Sequence, residues 1–95
     1  MSRWSVYILR CGDGSLYTGI STDVEARVKK HAAGKGAAYT RSHKPITLVW
    51  TKHMSSESAA RKREAAIKKM TKREKERLIA IQPTRTRSVE KIKSA

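Results

Sequence analysis

The tripeptide Gly12-Asp13-Gly14, set between two runs rich in aromatic and β-branched residues, leaves this chain few ways to begin its fold. Gly14 tolerates the positive φ that a three-residue hairpin loop requires. Residues 4–11 and 15–20 therefore read as antiparallel partners. With the loop at 12–14, Cys11 faces Ser15, Leu9 faces Tyr17 and Tyr7 faces Gly19. Side chains alternate with period two, so Tyr7 and Tyr17 share a face. Gly19, having no side chain, is expected to leave open space beside the two phenols.

A helix follows. Ser21 or Thr22 can cap it, and Thr22 with Glu25 fits a capping box. Val24, Val28 and Ala32 recur at helical spacing and form an apolar stripe. At about 100° per residue, Arg27 and His31 fall within about 60° of Val24, toward the core side. Gly34 suits the helix C-terminus. Residues 35–45 read as a polar, basic loop, and Ile46, Leu48 and Trp50 as the one apolar face of a third strand. Ser55 or Ser56 opens a second helix running to Met70, with Ala59, Ala60, Ala66, Ile67 and Met70 inward and Glu64 bordering that stripe. Thr71 and Glu74 form another capping box for a short helix that ends near Ile81, before Pro83.

Composition narrows the partners. The 95 residues carry 22 Lys and Arg against 8 Asp and Glu, a net charge of +14. So basic a surface attracts polyanions: nucleic acid, an acidic partner or an anionic membrane. The longest apolar runs are too short to span a bilayer. No apolar signal block follows Met1, and the single cysteine, Cys11, suits a reducing cytoplasm. Cys11, His31, His43 and His53 lack paired-ligand spacing, which argues against structural zinc. Gly34-Lys35-Gly36 lacks the leading glycine and trailing Ser or Thr of a phosphate-binding P-loop.

Hydrolysis of a phosphodiester needs an aligned water, a proton acceptor, positive charge for the transition state, and relief for the leaving oxygen. A tyrosine can take or relay the proton if cations or a metal lower its pKa. An arginine fork fits two phosphate oxygens. One carboxylate can hold a hard divalent ion that keeps its waters. Tyr7, Tyr17, Arg27, His31 and Glu64 supply these parts, yet each also has a plainer reading. The tyrosines are good strand residues. Arg27 suits a solvated helix face, His31 suits a helix C-terminus, and Glu64 has Lys68 one turn away. Trp4 suits either a core position or a base-stacking platform.

Taken in order, Ser5-Val6-Tyr7, then Tyr17-Thr18-Gly19, then Arg27 and His31 on one helix and Glu64 on a later one, resemble the GIY-YIG endonuclease superfamily. The run from Ser15 to Val24, Gly34-Lys35-Gly36-Ala37, Tyr39-Thr40-Arg41 and Leu78-Ile79 are similar to its short stand-alone bacterial branch. The resemblance covers about residues 4–82. It implies an α+β fold, a small three-stranded antiparallel sheet flanked by about three helices. The chain length allows one domain, read as residues 1–82, and the polar, basic, aperiodic residues 83–95 are expected to form a disordered tail. It implies a nuclease acting on nucleic acid, DNA foremost, with one Mg²⁺ or Mn²⁺ ion.

By position, Tyr17 matches the tyrosine that activates water and Tyr7 its partner near the scissile phosphate. Arg27 matches the transition-state arginine, and His31 an adjacent residue that handles a proton or contacts phosphate. Glu64 matches the metal ligand. Gly19 matches the position that leaves room for substrate, and Lys35, Tyr39 and Arg41 are expected to contact it. Ile20 stands where many members carry lysine, and Glu74 and Glu76 lie where several carry an asparagine. A nucleic-acid-binding module of the same fold with little or no catalysis is the alternative, and a basic protein-docking domain a third.

Overall fold

The computed structural model describes residues 2–81 and 87–88. The chain runs β1 (Ser5–Arg10), β2 (Leu16–Ser21), α1 (Val24–Ala32), α2 (Ala38–Ser42), β3 (Thr47–His53), α3 (Glu57–Lys68), α4 (Lys72–Ile81) and β4 (Arg87–Ser88). The strands form one antiparallel sheet in the order β2-β1-β3-β4. Its body is the expected three strands. The two residues of β4 extend it at the outer edge of β3. The rest of the expected 83–95 tail lies outside the described residues.

The first hairpin forms in the expected register. Tyr7 pairs with Gly19 and Leu9 with Tyr17. Gly14 takes a φ of 86°, a conformation open to glycine at no steric cost. β2 is left as an edge strand, and a polar cleft opens along it.

Helices cover both faces of the sheet. On one face Tyr7, Leu9, Cys11, Ile46 and Leu48 pack with Val28 of α1, and Tyr17, Val24 and Ala32 join them. On the other, Val6, Ile8, Val49 and Trp50 pack with Ala60 and Ile67 of α3, and Leu78 and Ile79 of α4 close the layer. A bidentate pair ties α4 to the sheet: Arg10 Nη1 and Nη2 each lie 2.6 Å from a carboxylate oxygen of Glu76. Such fork-to-fork pairs add geometric specificity to charge.

Four details depart from the sequence reading. β3 does not present a single apolar face. The β1–β3 register shifts between Ile8 and Leu9, so Leu9 opposes Leu48 while Ile8 opposes Trp50. Val49 is the extra residue of this bulge, which reverses the alternation, and Trp50 joins the face opposite Leu48. Second, α1 is capped by Asp23, whose carboxylate accepts from Ala26 N–H at 3.1 Å. Ser21 Oγ accepts from Asp23 N–H instead, stabilising the turn that precedes it. Third, the 35–45 loop contains the short helix α2, one of four helices among the described residues, in line with the expected three or so plus this turn. Fourth, Ala66 is exposed. The other termini match: Ser56 caps α3, and Thr71 and Glu74 form a reciprocal capping box. Gly34 and Lys35 donate to the carbonyls of His31 and Lys30, a Schellman closure of α1.

Candidate active site

Because Tyr7 opposes Gly19 across the hairpin, its ring can pass over the edge strand. A Cβ built on Gly19 would lie 2.6 Å from Tyr7 Cζ. The gap left by the missing side chain therefore holds the Tyr7 phenol and does not stand open beside it. This places the hydroxyl at the margin of the sheet, in a cleft of about 500 Å³. Tyr17, two residues back on the same face, forms the adjoining wall.

α1 brings in Arg27 and His31 one turn apart. His31 is buried, 2 % exposed. Its Nε2 lies 3.1 Å from Tyr7 Oη and its Nδ1 2.6 Å from Thr40 Oγ1. The Tyr17 ring meets the imidazole edge-on at a centroid distance of 5.2 Å. Arg27 is exposed overall rather than turned to the core, yet it lines the cleft together with His31. From the opposite face of the sheet, α3 reaches past the β2 edge and contributes Glu64 to the same cleft. Glu64 Oε2 also pairs with Lys68 Nζ at 3.1 Å.

Burial sets the protonation states. It pushes the Tyr7 phenol well above its ordinary pKa, helped by the neighbouring Tyr17 and opposed by Arg27. At Tyr7 desolvation thus outweighs the lowering effect of the neighbouring cation. Burial, reinforced by Arg27, pushes His31 below its ordinary value. At neutral pH the pair is a neutral phenol bonded to a neutral imidazole.

Of the residues expected to contact substrate, Gly19 and Lys35 line the cleft and Tyr39 does not. Tyr39 stands behind Tyr17, stacked at 6.4 Å, and is itself stacked on His43 at 4.1 Å. The Arg41 side chain lies outside the described part of the structure. Three lining residues were not expected: Arg61, Gly36 and Ala37. Arg61 precedes Glu64 by three positions and so shares its helix face, a signal the sequence carried. Trp4 is half-buried, packing against the second core layer and bordering the cleft. Glu74 and Glu76 are engaged elsewhere, in the α4 cap and with Arg10.

The donor set suits a hard divalent cation. Among the lining residues Glu64 is the one carboxylate, and no group of three or more His, Cys, Asp or Glu gathers among the described residues. Mg²⁺ commonly binds through one or two carboxylates, retaining waters and taking substrate oxygens. A protein-only metal cage is not what these residues build.

Comparison with known proteins agrees with this architecture. The GIY-YIG catalytic domain model matches residues 3–77. A UPF0213 protein of Streptococcus sanguinis is 56% identical over 70 residues, covering 74% of this chain and 80% of that protein. One from Natronomonas pharaonis is 52% identical over 75 residues, covering 79% and 88%. The solution NMR structure of a UPF0213 protein from Bacillus halodurans superposes with a TM-score of 0.57 at 46% identity, covering 86% of this chain and 87% of that one. The chain therefore belongs to the GIY-YIG superfamily, in the short stand-alone group that carries the UPF0213 name.

Proposed function

We propose that this cleft hydrolyses phosphodiester bonds in nucleic acid, DNA foremost, with weak sequence preference and one Mg²⁺ or Mn²⁺ ion held by Glu64. The observation that carries the reading is convergence. A hydrogen-bonded Tyr7–His31 pair, the Arg27 guanidinium and the Glu64 carboxylate, drawn from β1, α1 and α3, border one open cleft.

A water in that cleft gives its proton to Tyr7 Oη as Tyr7 passes its own to His31 Nε2. The water oxygen forms the new bond to phosphorus and the bond to the leaving oxygen breaks. This relay spares the phenol full ionisation, which its burial opposes. His31, held neutral, has the lone pair to receive the proton. Arg27 engages the non-bridging oxygens, where negative charge accumulates. Tyr17, the tyrosine that the family resemblance links to water activation, borders the same space and orients that water through its hydroxyl, while its ring packs against the imidazole edge. A divalent ion held by Glu64 would supply Lewis acidity to the phosphate and offset charge on the leaving oxygen. Lys35 and Arg61 add cationic wall, while Ile20 leaves the neighbouring stretch apolar. Contacts to backbone phosphates read no sequence and weaken as salt rises.

A binding module with little catalysis is the second reading. The Glu64–Lys68 pair favours it, since the carboxylate already has a cation beside it. End-labelled DNA incubated with the full chain separates the two. Cleavage in Mg²⁺ or Mn²⁺ that EDTA stops, and that Tyr7→Phe and Tyr17→Phe reduce without loss of binding, supports the nuclease. Salt-sensitive binding with no cleavage under either metal supports the module.

A further inference from the structure

Thr40 is fully buried, and its hydroxyl is one of few polar side-chain groups inside the fold. A hydroxyl has one proton to give. Thr40 donates it to the Ala37 carbonyl at 3.0 Å. Toward His31 Nδ1, at 2.6 Å, the same oxygen can then only accept. The distances at the ring admit either tautomer; the Ala37 carbonyl, which can only accept, favours the one with the proton on Nδ1 and the Nε2 lone pair toward Tyr7 Oη. In that tautomer the hydrogen bonds run in one direction: Tyr7 to His31, His31 to Thr40, Thr40 to Ala37. Gly36 adds a steric constraint. A Cβ there would lie 2.7 Å from His31 Cγ, so the Gly36 backbone is pressed against the imidazole and restricts its rotation.

We propose that Thr40 is a positioning residue that fixes His31 as the Nδ1–H tautomer, with Gly36 backing the ring, so that the Tyr7–His31 pair can accept a proton from the cleft. With the opposite tautomer Nε2–H would donate to Tyr7 Oη. The phenol proton would then point into the cleft, and the pair could give a proton but not take one. The short helix α2 thereby acquires a task that its polar, aperiodic sequence does not announce: it carries the acceptor that sets the polarity of the relay. The consequence for turnover rests on the nuclease reading; the tautomer assignment does not.

Two-bond proton–nitrogen NMR on the ¹⁵N-labelled full chain reads the His31 ring nitrogens directly. We expect Nδ1 protonated and Nε2 bare in the wild type. Thr40→Val keeps the shape and removes the acceptor, and should shift the ring signals toward the Nε2–H or an averaged state, with Thr40→Ser restoring them. Cleavage should drop at least about tenfold in Thr40→Val and recover in Thr40→Ser. A wild-type ring protonated on Nε2 overturns the proposal without any variant, so the question stays decidable even if Thr40→Val fails to fold. So does a folded Thr40→Val whose ring signals match the wild type, since a merely structural threonine would behave that way. If the ring signals behave as expected and the wild type cleaves nothing, the nuclease reading falls and the tautomer assignment stands.

Discussion

On the α1 side of the cleft, the imidazole of His31 is 2 % exposed and both of its nitrogens are engaged at hydrogen-bond distance. On the α3 side, Glu64 keeps 21% of its side chain exposed and pairs with Lys68, whose side chain is 57% exposed. The first wall is dry and braced by glycine backbone. The second is wet and held by a pair of long side chains in high dielectric, an interaction worth roughly 0.3–0.5 kcal/mol at such sites. The contrast fits the two demands of the proposed chemistry. A proton relay needs a fixed tautomer and fixed distances, which low dielectric and close packing provide. A divalent ion that must arrive with its waters and meet a phosphate needs a carboxylate that solvent can reach.

The wet wall still stands on a dry foundation. Trp50, 1 % exposed, packs beneath α3 with Ala60 and Ile67. We expect Trp50→Ala to destabilise the fold by about 3–5 kcal/mol in urea unfolding, the largest loss of stability among these variants. A loss near zero would mean that α3 is not seated on that core layer. Next comes Gly19→Ala. Its methyl group would collide with the Tyr7 phenol, and a displacement of about 1 Å at such a centre can lower cleavage about a hundredfold. Unchanged cleavage in that variant would detach Tyr7 from the chemistry.

Lys68→Met probes the wet wall alone and should move stability by no more than about 0.5 kcal/mol. A larger loss would show that the ion pair, rather than the core beneath it, holds α3 in place.

The smallest expected effect is on pH. His31 has a folded pKa below its ordinary value of about 6.5. The unfolded chain therefore binds the proton first as pH falls. Its stabilising contribution is complete above about pH 6.5 and is lost as pH drops toward the folded value. Cleavage should fall over the same lower range, because a protonated imidazole cannot receive the relay proton. His31→Asn should flatten the stability slope below pH 6.5, and an unchanged slope would place the titration elsewhere.

Much of this was legible in the sequence because it is local. The Gly12-Asp13-Gly14 loop sets the hairpin register, and from that register Tyr7, Gly19 and Tyr17 follow at once. One helical turn joins Arg27 to His31, and capping residues mark α3 and α4. What escaped has physical reasons. The bulge at Val49 inserts one residue that leaves the apolar letters looking regular, so alternation alone placed Trp50 on the wrong face. Thr22 and Asp23 can both cap a helix, and the hydroxyl of Ser21 decides between them by bonding Asp23 N–H. Helix α2 is five residues long, too short for an apolar period to appear. Its one buried hydroxyl matters only through a contact nine positions away in sequence.

The sharpest test of the proposed chemistry is cleavage of labelled DNA by wild type and Glu64→Ala, side by side, in Mn²⁺ and then in EDTA. We expect metal-dependent cleavage by the wild type and at least about a hundredfold less by Glu64→Ala, with DNA binding and unfolding midpoint nearly unchanged. Equal cleavage by the two proteins, or none by the wild type while it binds DNA, would contradict a metal-assisted active site in this cleft.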